Sequence, residues 1–136
     1  MGEKSLFRNL GKNQLEAILD ALPLEFIFVD EKDRLQYGNK GEKRSRKAPA
    51  GIMGKDIRLC HKKESRPRVD ALIDNLRSGR KDEEEFWVSY EQRILNRFLA
   101  VRDKKGKYLG IIEYLLDFNA MEKLAEEKKD AYKLFP

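Results

Sequence analysis

The sequence predicts an α+β fold, a five-stranded antiparallel sheet with helices packed on one face and flanking N- and C-terminal helices. Two short β-rich runs near the N-terminus, at 24–29 and 34–37, are separated by a polar turn. Three longer β-rich runs follow at 85–90, 94–102 and 108–116, and residues with helical spacing lie before, between and after the two groups. The 136 residues match the size of one domain, and a domain of this size can bury a hydrophobic core without a disulfide or a structural metal.

The first predicted helix covers residues 13–22, with Asn13 as its N-cap and an apolar stripe along one side. Pro23 ends the helix because proline cannot continue it. The run at 24–29, the turn at 30–33 and the run at 34–37 then predict the first hairpin.

The middle of the chain has a different composition. Residues 38–62 hold four glycines, one proline and many cations, which predicts loops with short helical turns. A second helix is predicted from Ser65, with Pro67 in its first turn and Ser78 and Gly79 at its end.

The three strands of the second half carry apolar residues at both odd and even positions, so both faces of the sheet are expected to be covered. The middle helices would cover one face, and the N-terminal helix or a second subunit the other. Residues 119–134 read as a highly charged helix, which is either an outgoing signalling helix or a frayed surface tail.

Charge is concentrated in one segment. Charged residues are 39% of the chain and the formal net charge is +5, but residues 40–68 alone hold eleven Lys or Arg against three acids. Such a segment attracts nucleic acid, acidic protein or carboxylate ligands, or is simply a solvated surface. Nucleic acid is the less favoured partner.

The cysteine and histidine counts and the hydropathy pattern bear on metal binding and on cellular location. One Cys and one His allow neither an internal disulfide nor zinc-type ligand spacing, so no metal site is predicted. The N-terminus has no apolar signal region and no apolar run approaches membrane-spanning length, which together predict a cytoplasmic protein without membrane contact.

The order of the elements and several short phrases resemble a PAS domain. The phrases that carry the resemblance are residues 15–23, Phe28-Val29-Asp30, Gly54-Lys55-Asp56-Ile57, Val101-Arg102-Asp103 and Asp117-Phe118-Asn119. More narrowly, Cys60-His61 and Glu85-Phe86-Trp87 resemble PAS modules at the C-terminal end of prokaryotic proteins that contain a hemerythrin-like domain.

The resemblance implies an N-terminal extension at 1–12, a PAS domain at 13–118 and an exit helix at 119–136. It implies a sensory or regulatory module that binds a small molecule, forms a homodimer, or both. Two alternatives stay open: a nucleic-acid-binding module that uses the basic 40–68 segment, and a dimerisation module without ligand.

An apolar cavity between sheet and helices is the expected site, because ligand pockets are mostly apolar with few polar groups. The candidate residues are Phe26, Phe28, Tyr37, Cys60, His61, Leu72, Leu76, Phe86, Phe98 and Tyr114. Aromatic residues on strands can equally be plain core.

Three residues have further candidate roles. His61 lies where a haem-binding PAS domain would offer an axial ligand, although a semi-exposed His more often only satisfies backbone groups. Cys60 is either a redox-active thiol or a small apolar residue. Asp117 is expected to cap the exit helix and to couple the sheet to signal output. No enzyme is predicted, because a single His must serve every acid–base scheme.

Overall fold

The computed structural model describes residues 9–131. In chain order the elements are α1 (Lys12–Ala21), β1 (Phe26–Asp30), β2 (Leu35–Gly38), α2 (Arg66–Ser78), β3 (Glu83–Ser89), β4 (Ile94–Arg102), β5 (Tyr108–Asp117) and α3 (Phe118–Glu127). Three short 3₁₀ turns, Gly41–Lys43, Ile57–Cys60 and Lys63–Ser65, interrupt the segment between β2 and α2. The described residues therefore have the predicted α+β architecture.

The five strands form one antiparallel sheet in the order β2-β1-β5-β4-β3. The central strand, β5, pairs with β1 on one side and with β4 on the other. Val29 of β1 and Ala100 of β4 both lie opposite Ile111 of β5. Because side chains alternate across a strand, these residues and their neighbours two positions away share the face that α2 covers. We call this the inner face, and the opposite one the outer face.

The core lies between the inner face and the helical segment. Its buried members come from β1, β2, the loop after β2, α2 and β5: Val29, Leu35, Ile52, Ile57, Leu72, Ile73, Leu76 and Ile111. Leu76 is completely buried. Three of the eight belong to α2, so the apolar stripe of this helix attaches it to the sheet.

Ion pairs around Asp33 fasten the β1–β2 turn to the helical segment. Asp33 is buried and pairs with Arg58, at 3.0 Å, and with Arg77 of α2. Arg58 also binds Asp70 and Asp56, and its hydrogen bonds to Asp70, Asp33 and Asp56 raise the pKa of the guanidinium. A carboxylate this buried needs such partners, so the network holds hairpin, loop and helix together.

Gly110 is required where β1 and β5 approach each other. Its φ is 149°, and a Cβ atom there would lie 2.1 Å from the carbonyl oxygen of Val29 and 2.9 Å from the Phe28 ring. Only glycine fits this contact, which lets the Phe28 ring lie against the backbone of the central strand.

The observed ends of α2 agree with the predicted ones, whereas those of α1 and α3 differ. α2 begins after Ser65 and ends before Gly79, as predicted. The predicted N-cap Asn13 is wrong, because α1 already begins at Lys12 and its N-cap is Gly11. The Gly11 amide donates a hydrogen bond to Gln14 Oε1 at 2.8 Å.

The predicted 119–134 helix is too long, because α3 ends at Glu127 and residues 128–130 form a turn. No residue of α3 is buried, so little tertiary packing supports a longer helix. The predicted boundaries inside residues 1–8 and 132–136 lie outside the described residues.

Candidate ligand cavity

A cavity of about 260 Å³ lies between α2 and the inner face of the sheet. Its apolar walls come mainly from α2, β3, β4 and β5: Val69, Leu72, Ile73, Phe86, Phe98 and Ile111. The rings of Phe86 and Phe98 stand edge to face with centroids 5.9 Å apart. α2 positions the aliphatic side of the cavity and β3 with β4 the aromatic side.

Two polar side chains interrupt the sheet side of this cavity. Asn96 of β4 and Glu113 of β5 both point to the inner face, and Asn96 Nδ2 donates to Glu113 Oε1 at 2.9 Å. His61, Ser65 and Arg68 also border the cavity, and the exposed guanidinium of Arg68 lies 5.4 Å from the centre of the Phe86 ring. The interior is thus apolar with one amide–carboxylate pair, and the rim carries the Arg68 cation.

A second cavity of about 180 Å³ adjoins the first and shares Ile57, His61, Asn96 and Glu113 with it. Its other walls are more polar, because the loop after β2 contributes Arg44, Arg46 and Lys47. The Arg44 guanidinium has a structural role, because it donates hydrogen bonds to the carbonyl oxygens of Phe26 and Asn39. Glu113 therefore stands at the junction of an apolar and a basic compartment.

The structure divides the predicted cavity residues into separate groups. His61, Leu72, Phe86 and Phe98 line the larger cavity. Cys60 and Tyr114 border the smaller one, although the Tyr114 ring packs against Arg97, 5.8 Å away, on the outer face.

The remaining predicted residues do not line the larger cavity. Phe26 lies opposite Tyr114 and Phe28 opposite both Ile112 and Tyr37, so strand alternation places Phe26, Phe28 and Tyr37 on the outer face. The expectation that they share a cavity with Phe98 is corrected by this register. Leu76 is core.

Most residues that line the larger cavity were not among the sequence candidates, including the polar residues Asn96, Glu113, Arg68 and Ser65. Glu113 could have been recognised from the sequence, because it is the one charged residue in the apolar run 111–116. A carboxylate in the middle of an apolar strand marks either an exposed face or a polar site.

His61 and Cys60 have environments that bear on their predicted roles. His61 is exposed at the shared margin of both cavities. Both cavities are smaller than the roughly 300–1,000 Å³ of typical drug-sized sites, so they suit a ligand smaller than haem. Burial and then the Glu113 carboxylate raise the pKa of the Cys60 thiol, which disfavours the reactive thiolate.

The exit from the sheet is capped at Asp117. Its Oδ1 accepts a hydrogen bond from the Ala120 amide at 3.0 Å, in the first turn of α3. The ring of Phe118 lies 5.7 Å from that of Trp87 on β3. Arg93, in the β3–β4 turn, makes two hydrogen bonds to Glu122 of α3. The start of α3 is therefore attached to β3 and its turn.

Residues 9–131 offer neither a metal site nor a membrane-spanning helix. No three His, Cys, Asp or Glu side chains come close enough together there to hold a metal ion. None of the helices in that range is both long enough and apolar enough to cross a membrane.

The family model described as PAS domain matches residues 15–119. Among solved structures, the C-terminal domain of a Streptococcus mutans protein is 30% identical, with a TM-score of 0.75, and the alignment covers 85% of this chain and 90% of that one. No curated protein matches the chain.

Two more distant structures share the fold. The PAS domain of BvgS from Bordetella pertussis is 19% identical with a TM-score of 0.57, covering 85% of this chain and 95% of that one. A sensory box sensor histidine kinase from Vibrio cholerae is 16% identical with a TM-score of 0.54, covering 76% of this chain and 88% of that one.

Proposed function

Because this chain belongs to the PAS domain family, we propose that it is a sensory module of signal transduction that binds a small molecule between α2 and the sheet. PAS domains are generally non-catalytic, and the proposal accordingly includes no reaction. One observation carries it: the 260 Å³ cavity with apolar and aromatic walls and a few polar groups. That is the usual composition of a small-molecule site.

The cavity is larger than ordinary packing defects. Protein interiors are close-packed, and voids that exceed a water molecule are few. Here the gap lies directly beneath α2, and Phe86 on its wall is 37% exposed. A bound apolar molecule would remove this aromatic surface from water, which favours binding.

The output route leads through β3 to α3. Trp87 borders the cavity and also contacts Phe118 at the start of α3, while Arg93 holds Glu122 one turn further on. A ligand that prefers one position of β3 would shift the population of α3 positions by its differential affinity for the two states.

We also propose that the protein self-associates through the outer face and α1. No residue of α1 is buried, and Ile18 of its apolar stripe is 48% exposed. Trp87 and Leu124 leave further apolar surface next to the outer face, at 48% and 55% exposed. An amphipathic helix gains most of its stability by packing its apolar side, and a second copy supplies such a surface.

Native mass spectrometry of the freshly purified protein tests the ligand proposal. Val69→Phe adds a ring inside the cavity, whereas Ala71→Phe adds the same ring on the exposed side of the same helix. We expect an additional bound mass in the wild type and in Ala71→Phe, and none in Val69→Phe. Equal bound mass in both variants would place the ligand elsewhere.

Light scattering tests self-association separately. The wild type is expected to have the mass of a dimer and Ile18→Glu that of a monomer, because a charge in an apolar contact costs several-fold in affinity. A monomeric wild type would contradict the dimer without affecting the cavity. The nucleic-acid alternative is tested by a mobility shift at low and high salt, since phosphate contacts weaken steeply with salt.

A further inference from the structure

Glu113 is the unusual residue of the cavity. It lies on the central strand, directly between Ile27 of β1 and Phe98 of β4. Its carboxylate thus enters the space beneath α2 from the middle of the sheet, flanked by an aliphatic and an aromatic side chain. Carboxylates in such surroundings are normally paired with a cation, because desolvation of an unpaired charge is costly.

The pairing of Glu113 is incomplete. Among residues 9–131 its carboxylate accepts one hydrogen bond, from Asn96 Nδ2, and takes part in no ion pair. A carboxylate oxygen can accept several hydrogen bonds, so Oε2 has its capacity unused. Asn96 is oriented by this bond, since only its NH₂ group can donate to a carboxylate, and its Oδ1 is buried without a described donor. The pair therefore has spare acceptors in Glu113 Oε2 and Asn96 Oδ1, against a single remaining N–H of Asn96.

The polar groups around Glu113 do not supply the missing donor. Arg44 is held by backbone carbonyl oxygens, and Arg46 and Lys47 of the smaller cavity are exposed and have no described bond to Glu113. Arg68 is exposed and lies over the outer part of the aromatic wall, and His61 is exposed at the margin. Both are in contact with solvent, where the attraction between exposed charged groups is weak.

We propose that the cavity recognises a small amine with an apolar, preferably aromatic, body, and that its ammonium group donates to the Glu113 carboxylate beside Asn96. This inference rests on the proposed ligand-binding function and adds the chemical class of the ligand. Three features support it together: the unpaired carboxylate, the spare amide acceptor, and the aromatic pair Phe86 and Phe98. Aromatic rings pack against the ligand body, and their faces also attract a cation.

Isothermal titration calorimetry with three matched probes tests the inference. Phenethylamine carries an ammonium group, phenethyl alcohol has the same skeleton without charge, and hydrocinnamate is the corresponding anion. We expect phenethylamine to bind the wild-type chain at least about tenfold more tightly than phenethyl alcohol, a difference of about 1.4 kcal/mol. Hydrocinnamate should be weakest.

Two variants separate charge from shape. Glu113→Gln keeps the size of the side chain and loses its charge, so phenethylamine should weaken by about tenfold or more while phenethyl alcohol stays nearly unchanged. Glu91→Gln makes the same charge change at an exposed turn and should leave all three affinities as they are.

The inference is overturned if phenethyl alcohol or hydrocinnamate binds as tightly as the amine, or if Glu113→Gln leaves amine affinity intact. It is also overturned if no probe binds the wild type. If no probe binds, native mass spectrometry of the wild type and Val69→Phe still tests separately whether the cavity holds a ligand of another class.

Discussion

Asn39→Ala is expected to destabilise the domain strongly, because this side chain fastens three segments of backbone. Asn39 is completely buried. Its Oδ1 accepts from the Phe26 amide at 2.8 Å, and its Nδ2 donates to the carbonyl oxygens of Leu19 and Leu24, both at 2.9 Å. The residue therefore connects the end of α1 and the α1–β1 linker to the first strand.

The size of the effect follows from these bonds. A typical hydrogen bond contributes about 1 kcal/mol net, and a buried group left without its partner costs about 1–3 kcal/mol. Leu19 keeps a second contact, because its carbonyl also accepts from the Leu22 amide at 3.4 Å. All three backbone groups lose the Asn39 bond, and of these the Leu19 carbonyl retains its contact with Leu22. The free energy of unfolding should fall by about 3–5 kcal/mol.

Urea unfolding followed by circular dichroism measures this change. For an m-value of about 2 kcal/mol/M, the midpoint should drop by roughly 1.5–2.5 M. Asn13→Ala is the matched control, since Asn13 is exposed on α1 and its change should stay within about 0.5 kcal/mol. A midpoint for Asn39→Ala within about 0.3 M of the wild type would refute the assigned role of its hydrogen bonds.

Two further predictions concern single side chains. Gly110→Ala should lower stability by more than about 3 kcal/mol, because the new Cβ would lie 2.1 Å from the Val29 carbonyl oxygen. Gly51→Ala, with nothing within 4 Å but a φ of 75°, should cost only the strain of that backbone conformation, about 1 kcal/mol. Equal melting temperatures of the two variants would contradict the steric argument. For Cys60, burial and the Glu113 carboxylate raise the thiol pKa, so its alkylation by iodoacetamide should begin only at a pH above that of an ordinary thiol. Glu113→Gln should lower that pKa and speed the reaction at a fixed alkaline pH, and an unchanged pH profile would show that the carboxylate has no influence.

The order of the elements could be predicted because prolines, glycines and polar turns mark where helices and strands begin and end. Pro67 in the first turn and Gly79 after the last residue delimit α2, and Gly79 indeed adopts a left-handed conformation with φ of 82°. β4 was predicted at its observed bounds, since polar turns enclose it on both sides. Local signals of this kind need no knowledge of the tertiary contacts.

The composition of the cavity was harder to predict, since it depends on strand pairing. Phe26 and Phe28 resemble Phe98 in sequence, because both strand faces of this sheet are apolar. Only the pairing of Val29 with Ile111 shows which set faces α2. The end of α3 was missed because no residue of this helix is buried, so its apolar positions do not indicate where it ends.

The position of the cavity determines which part of the sheet can respond to a ligand. β5, which carries Glu113, is paired on both sides, so moving it would break two ladders of hydrogen bonds. β3 is an edge strand with one paired side, and its register with β4 shifts between Trp87 and Ser89. Displacing β3 breaks bonds on one side only, whereas displacing β5 breaks them on two, and β3 also holds the contact with Phe118. We therefore expect a ligand anchored on β5 to act on α3 through the edge strand β3, whose Trp87 contacts Phe118, and to leave β5 in place.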